Sequence, residues 1–266
     1  MYKTSQRVWS RSAAAVLGGW LAAAALPAQA DVNPRKVLDA VYSGYDRAHQ
    51  CWISVDKDSG RRYCMRLDHT EKVSAETGQR LYLLVAGEAV NDAGEPDGGH
   101  AEMGLVGAFV VEERNGRPEI IAGEPALPVG ASGNAPTKWK LVKLGPSDYW
   151  GWVNQWGDCH QGYCGSRQAL LAPYGKKVRD LAGFAVSFSN SGACVDKRCE
   201  RNATELDSVL EIDSTRIGEK VFPLVVTVKG ANKGRKMTPT RYTMPFDAKK
   251  WSYVPPADWP LKDADF

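Results

Sequence analysis

The chain has 266 residues and a formal net charge of +3, from 34 basic and 31 acidic residues. The positive excess lies entirely in residues 1–30, which hold three basic residues and no acidic one, so the 31 basic residues left in the rest of the chain balance its 31 acidic residues. This balance gives no support to nucleic-acid or membrane-surface binding, and we predict no nucleic-acid partner. A chain of this length can bury a sizeable core without depending on disulfides.

Residues 1–30 have the three parts of a signal peptide in the usual order. A basic segment precedes the apolar run Ala13–Leu26, and Ala28-Gln29-Ala30 forms a small-residue cleavage site. The apolar run is too short for a comfortable helix across a bilayer core of about 30 Å, so an uncleaved anchor is the weaker interpretation. We therefore predict cleavage after Ala30, export to the periplasm or the extracellular space, and no stable membrane insertion afterwards.

The exported chain opens with a predicted helix and a predicted hairpin. Asn33-Pro34 combines a helix cap with proline at the first helical position, and apolar residues at three- and four-residue spacing continue as far as Ala48. Short strands then flank the turn Asp56–Gly60, which places Cys51 opposite Cys64. A short helix over Thr70–Gln79 and a buried strand over Arg80–Ala86 follow.

The strongest turn signal in the chain is Asn115-Gly116, because a type I′ turn needs positive φ at both central positions. The predicted hairpin places Glu112 opposite Glu119 and puts Pro118 near a sheet edge. Like charges that face each other across a ribbon are tolerated where water screens them, so we expect both carboxylates to be solvated. The oxygen-rich loop 91–100 contains calcium-type ligands without EF-hand spacing, and a plain loop is the favoured interpretation.

A third predicted hairpin, within residues 138–164, contains four of the nine tryptophans. Gly145-Pro146-Ser147-Asp148 is typical of a tight turn. Placing Leu144 opposite Tyr149 pairs Lys143 with Trp150, Leu141 with Trp152, Trp139 with Asn154 and Thr137 with Trp156. Because side chains alternate along a strand, one face of the ribbon carries all four tryptophans, Trp139, Trp150, Trp152 and Trp156.

The remaining chain is predicted to consist of strands and an extended tail. Strands over 167–172, 181–189 and 204–212 precede a basic hairpin over 222–246. Its lysines and arginines fit a solvated edge strand better than a site for acidic partners. The tail 247–266 contains three prolines and two tryptophans, Trp251 and Trp259, which suits a strap lying over the body of the protein.

Six cysteines in an exported chain predict disulfides. They fall into three local couples among 15 conceivable pairings, and we favour the local pairing Cys51–Cys64, Cys159–Cys164 and Cys194–Cys199. Cys159, His160 and Cys164 could also supply zinc ligands, but an oxidising destination favours disulfides. We predict no metal and no cofactor.

Successive hairpins and a single N-terminal helix predict a mainly β, antiparallel fold that closes as a barrel or stacks as a sandwich. Residues 31–266 are predicted to form one exported domain, and 123–137 is the boundary if there are two. No nucleophile elbow, zinc-protease helix or phosphate-binding loop is present in the sequence.

The tryptophan face, with Lys143 beside it, is the leading candidate site, although core packing explains the same pattern. We predict a non-enzymatic binding protein whose ligand is a glycan or an envelope or secreted protein. One alternative is a secreted hydrolase that uses carboxylates at strand ends. Another is an inhibitor that presents a disulfide-pinned loop, 159–164 or 194–199.

Overall fold

The structure is a computed structural model that describes residues 32–76, 78–264 and 266. The predicted signal peptide, residues 1–30, lies outside the described residues. Within the described ranges, the helices are too short or too polar to cross a membrane.

Two antiparallel sheets contain most of the described chain. The first has six strands, which lie side by side in sequence order: β1 (Tyr45–Asp46), β2 (Cys51–Val55), β3 (Arg62–Ala75), β4 (Gly78–Val90), β5 (Leu105–Arg114) and β6 (Arg117–Pro128). The second has eight: β7 (Lys140–Lys143), β8 (Trp150–His160), β9 (Tyr163–Tyr174), β10 (Lys177–Asp180), β11 (Ala185–Ser189), β12 (Glu205–Ile212), β13 (Leu224–Asn232) and β14 (Arg235–Met244). Its order is β14-β13-β12-β11-β9-β8-β7, with β10 paired to β9.

A few short elements complete the described chain. They are helix α1 (Pro34–Val41), helix α2 (Lys197–Arg201), a 3₁₀ turn (Ser191–Ala193) and the two-stranded pair β15 (Phe246–Asp247) and β16 (Ser252–Tyr253). The mainly β, antiparallel prediction is therefore confirmed.

The two sheets stack in part as a sandwich, and the described strands do not close into a barrel. A shared core cluster joins Tyr82 and Leu84 of β4 to Trp152 of β8 and Leu171 of β9. The rings of Tyr82 and Trp152 meet edge to face, with centroids 5.4 Å apart. Of the two predicted alternatives, the sandwich is therefore present in part, and the described strands form no closed barrel.

The outer faces of the sheets are covered by the two ends of the described chain. Helix α1 packs Val37 and Leu38 on the first sheet, beside Leu83 and Phe109. The tail covers the second sheet, where Trp259 is 1% exposed. Strand β4 is apolar on both faces because one side meets α1 and the other meets the second sheet.

Local sequence chemistry explains where α1 begins but not where it ends. The Asn33 side chain accepts the Arg35 N–H at 2.9 Å, and Pro34 occupies the first turn. Tyr42 is already extended, and Tyr45–Asp46 pairs with β2. The apolar stripe that continues to Ala48 is therefore only partly helical.

The predicted helix over Thr70–Gln79 is wrong. Strand β3 continues to Ala75 and pairs with β4, so this segment is a long hairpin. Val73 packs against the shared core cluster from the strand. Burial of an apolar face against the second sheet outweighs the weak local helical preference.

The turn-based hairpin predictions are confirmed. Asn115 and Gly116 both have positive φ, of 53° and 74°, and join β5 to the edge strand β6. The three predicted disulfides are present as Cys51–Cys64, Cys159–Cys164 and Cys194–Cys199. In the first of these hairpins the register places Ile53, rather than Cys51, opposite Cys64.

Glu112 does face Glu119 across the hairpin, as predicted, but it is not solvated. Glu112 is 7% exposed and lies between two arginines, Arg80 at 2.8 Å and Arg114 at 3.1 Å. Arginine pairing, rather than water, therefore compensates the like charges.

Buried tyrosines make the fold sensitive to alkali. Burial raises the pKa of Tyr82 and Tyr149 to about 12, and it also raises the pKa of Tyr42 and Tyr253. A tyrosine in the unfolded chain has a pKa of about 10. The stability that comes from keeping these tyrosines neutral is therefore present below pH 10 and is lost as the pH rises towards their pKa in the folded state. Ionisation of Tyr82 alone can lower the free energy of unfolding by up to about 3 kcal/mol.

We therefore expect the free energy of unfolding in urea to fall steeply above pH 10. Tyr82→Phe should flatten that dependence, whereas Tyr163→Phe, at an exposed position, should leave it unchanged. Equal slopes for the two variants between pH 9 and pH 11.5 would show that burial of Tyr82 is not the cause.

Candidate functional site

The predicted tryptophan face divides between the core and a cleft. The register predicted around the turn is confirmed, with Leu141 opposite Trp152 and Lys143 opposite Trp150. Trp152 is fully buried and Trp139 is 3% exposed, so both belong to the core. Trp150 and Trp156 are half-buried at its border.

Pairing between β7 and β8 ends at Lys140, so the predicted pairs of Trp139 and Thr137 do not form. Lys138 has a φ of 66° and breaks the strand. The Asp68 carboxylate on β3 accepts the backbone N–H groups of Lys138 and Trp139 at 2.7 and 2.9 Å. The Asp68 side chain therefore ties the segment that leads into β7 to strand β3 of the first sheet.

Beyond Trp156 the same face of the hairpin opens into a cleft of about 670 Å³. Asp158 and His160 follow Trp156 at two-residue spacing, so they share its face of β8. The cleft is lined by His100, Ala101, Glu102, Met103, Gly130, Ala131, Trp156, Asp158, His160, Tyr163 and Phe266. It therefore lies between two loops that adjoin the first sheet and the tip of the β8–β9 hairpin of the second sheet.

The first wall of the cleft consists of two loops, 97–104 and 129–135, in direct backbone contact. The Val129 N–H donates to the Gly104 carbonyl at 3.0 Å, and the Gly133 N–H donates to the Glu102 carbonyl at 2.8 Å. A Cβ on Gly104 would lie 1.8 Å from the Ala135 nitrogen, so only glycine permits this approach.

Arg61 fixes the first wall from the side. Its guanidinium contacts Asp97 at 2.9 Å and Glu102 at 3.1 Å. The Glu102 carboxylate also accepts the Gly99 N–H at 2.7 Å. These contacts tie the loop to Arg61, just before β3, and close it through the Gly99 N–H.

The second wall is the tip of the β8–β9 hairpin. Its turn residues Gln161 and Gly162 have φ values of 49° and 85°, and the Cys159–Cys164 disulfide joins directly opposed residues below the turn. A Cβ on Gly162 would lie 2.3 Å from the carbonyl carbon of Gly192, so the backbones of these two glycines are in close contact. The hairpin tip is therefore braced on both sides.

Phe266 fills a gap in this face of the hairpin. Gly165 on β9 has no side chain there, and a Cβ would lie 2.2 Å from the Phe266 ring. Arg167 lies two residues further along β9, and its guanidinium is 5.2 Å from the centroid of the Phe266 ring. Trp156 is paired with Arg167 across the strands, so aromatic surface continues along this side of the cleft.

Polar groups from both walls meet across the cleft. The rings of His100 and His160 have centroids 5.7 Å apart. The His100 Nδ1 lies 3.4 Å from the Ser132 hydroxyl, and the Asp158 carboxylate accepts the Cys159 N–H at 2.8 Å. Aromatic faces with carboxylates and imidazoles can bind a ligand that has both an apolar face and hydrogen-bonding edges.

The other sequence candidates lie away from the cleft or are already occupied. Lys143 is exposed beside Trp150, with its amine 6.0 Å from the ring centroid. The 194–199 loop presents Val195, which is 97% exposed, and is closed by its disulfide. Within the described ranges, no three His, Cys, Asp or Glu side chains come together as a metal site, and this includes the 91–100 loop.

From the sequence, His160 is a candidate only as a zinc ligand with Cys159 and Cys164, and no pattern singles out His100 or Phe266. The two-residue periodicity that grouped the tryptophans also puts Asp158 and His160 on their face, so that signal was available. The glycines at 98, 104, 130 and 133 signal close backbone approach, which could have located the first wall. No sequence pattern indicated which residues lie across the cleft.

No protein-family model, curated protein or solved structure matches this chain.

Proposed function

We propose that the protein is an exported, non-enzymatic binding protein that holds a glycan in the cleft. The observation that carries the proposal is the set of aromatic rings on one side of the cleft, those of Trp156, Tyr163 and Phe266, with carboxylates and imidazoles beside them. Aromatic faces stack on the apolar face of a sugar ring, while carboxylates and imidazoles bind its hydroxyl groups. Its three disulfides are compatible with an oxidising compartment.

The dimensions of the site favour a small ligand over a protein surface. A volume of about 670 Å³ lies within the range of about 300–1,000 Å³ typical of small-molecule pockets. Close glycine contacts and Arg61 hold the first wall. A close glycine contact and the Cys159–Cys164 disulfide hold the second wall. Such preorganisation lowers the ordering cost of binding a short oligosaccharide.

The carboxylates of the cleft support binding better than hydrolysis. Glu102 is engaged by Arg61 and by the Gly99 N–H, and Asp158 is engaged by the Cys159 N–H. Carboxylates with these partners are fixed hydrogen-bond acceptors. We therefore assign Glu102 and Asp158 to ligand orientation.

The test is an oligosaccharide array followed by titration of the best ligand. Tyr163→Ala should weaken binding by about fivefold, because a stacked ring contributes on the order of 1 kcal/mol. Tyr174→Ala is a matched control, since Tyr174 is also exposed and lies at the far end of β9. It should bind as the wild type does.

Two results would contradict the proposal. One is the absence of any saturable oligosaccharide binding by the oxidised wild-type protein. The other is equal loss of affinity in Tyr163→Ala and Tyr174→Ala, which would place the ligand away from the cleft. Thermal unfolding of both variants should be measured first, so that loss of fold is not taken for loss of binding.

A further inference from the structure

Two histidines that are 60 positions apart in the sequence approach each other at the cleft. His100 lies on the first wall and His160 on the second, with ring centroids 5.7 Å apart and an angle of 42° between the ring planes. Both side chains are exposed. We propose that His100 and His160 together bind one divalent transition-metal ion of the imidazole-preferring class, represented by Zn²⁺ and Cu²⁺.

The distance between the rings fits a shared ion. A zinc–imidazole bond is about 2.0–2.1 Å, and the ring centroid lies roughly 1 Å beyond the nitrogen, so two rings on one ion have centroids about 5–6 Å apart. The observed separation falls within that range. Ring rotations can then direct one nitrogen of each imidazole to the ion, and the walls need not move.

The surroundings of the two rings support this role. The Nδ1 of His100 lies near the Ser132 hydroxyl, which orients the ring and leaves Nε2 facing away from that contact. Within the described residues, the His160 ring has no hydrogen-bond partner, so its nitrogens are available. Because both walls are braced, little ordering cost accompanies metal binding.

The remaining coordination positions are open. No third His, Cys, Asp or Glu from the described ranges completes a cluster with the two histidines. Water or an oxygen atom of a bound ligand would occupy those positions. The site should therefore bind metal more weakly than a closed structural zinc site, and Cu²⁺ more tightly than Zn²⁺.

The test is a calorimetric titration of the oxidised, metal-free protein with ZnCl₂, repeated with CuCl₂. The wild type should bind one ion, and His100→Gln and His160→Gln should each weaken binding by about tenfold or more. His69→Gln is the control, because His69 lies on β3 beside Glu71 and away from the cleft. It should bind as the wild type does.

The absence of saturable binding by the wild type, or binding that survives either His100→Gln or His160→Gln, would overturn the proposal. The metal site does not depend on the glycan proposal, and oligosaccharide titrations in EDTA keep the two tests separate.

Discussion

Replacement of Trp152 by alanine is expected to lower the free energy of unfolding by about 3–5 kcal/mol. Trp152 is fully buried between the sheets, where its ring meets Tyr82 edge to face. Alanine would leave a cavity lined by both sheets, and the paired strands around it cannot collapse freely. The measurement is urea unfolding at neutral pH, with the midpoint and slope compared to the wild type.

Trp156→Ala is the matched control for this prediction. Trp156 lies on the same strand and the same face, four residues further along, but is only half-buried. Its replacement should cost less than half as much stability, because the cost follows the apolar area removed from the core. Equal losses in the two variants would contradict the division of this face into core and cleft.

Gly104→Ala is expected to separate the two loops of the first wall. Its Cβ would meet backbone atoms of Asn134 and Ala135 at 2.1 and 1.8 Å, and backbone cannot move aside as a flexible side chain can. We expect a loss of about 3 kcal/mol or more in stability, at the upper end of the cost of overpacking. Oligosaccharide and metal binding should fall with it, since Glu102 and His100 lie on the displaced loop.

Gly218→Ala provides the control for Gly104→Ala. Nothing lies within 4 Å of a Cβ at Gly218, and its backbone is not in the left-handed region. Gly218→Ala should therefore change stability by less than about 0.5 kcal/mol, as surface substitutions usually do. A stable Gly104→Ala protein with unchanged ligand binding would show that the close backbone approach does not shape the site.

Turn chemistry made the hairpins predictable from the sequence. Asn115-Gly116 and Gly145–Asp148 specify tight turns through their own backbone preferences, and each turn sets the register of the residues next to it. Further from the turns the register fails, because a shift between Val110 and Val111 and the break at Lys138 interrupt the pairing. Two of the local cysteine pairs, Cys51–Cys64 and Cys159–Cys164, were predictable for the same reason, since hairpins bring their members together. Cys194–Cys199 instead joins a 3₁₀ turn to α2, and its short separation in the sequence alone indicated the pairing. These features depend on neighbours within about 15 residues and on little else.

Contacts between sheets were not predictable in the same way. Trp152 and Trp156 share one face and one residue type, yet only the position of the first sheet decides which of them is buried. Val73 belongs to a strand because the second sheet covers it. Glu112 is buried because Arg80 lies on the adjacent strand and neutralises it.

The cleft itself is formed by four separate parts of the chain: loops 97–104 and 129–135, the tip of the β8–β9 hairpin and the tail. His100 lies in the loop between β4 and β5 of the first sheet, His160 ends β8 of the second sheet, and Phe266 reaches Gly165 from the tail. No spacing rule connects these positions, because the stacking of two sheets brings them together. The local traces of the site are the alternation of Asp158 and His160 with the tryptophans on β8 and the glycines of the first wall.

The most direct test of the account follows the indole N–H signals of the ¹⁵N-labelled protein while an oligosaccharide selected from the array is added. We expect the Trp156 signal, assigned with Trp156→Phe, to shift saturably while the signals of Trp139 and Trp152 stay in place. A saturable shift at Trp139 or Trp152 with Trp156 unchanged would contradict the assignment of the cleft as the binding site.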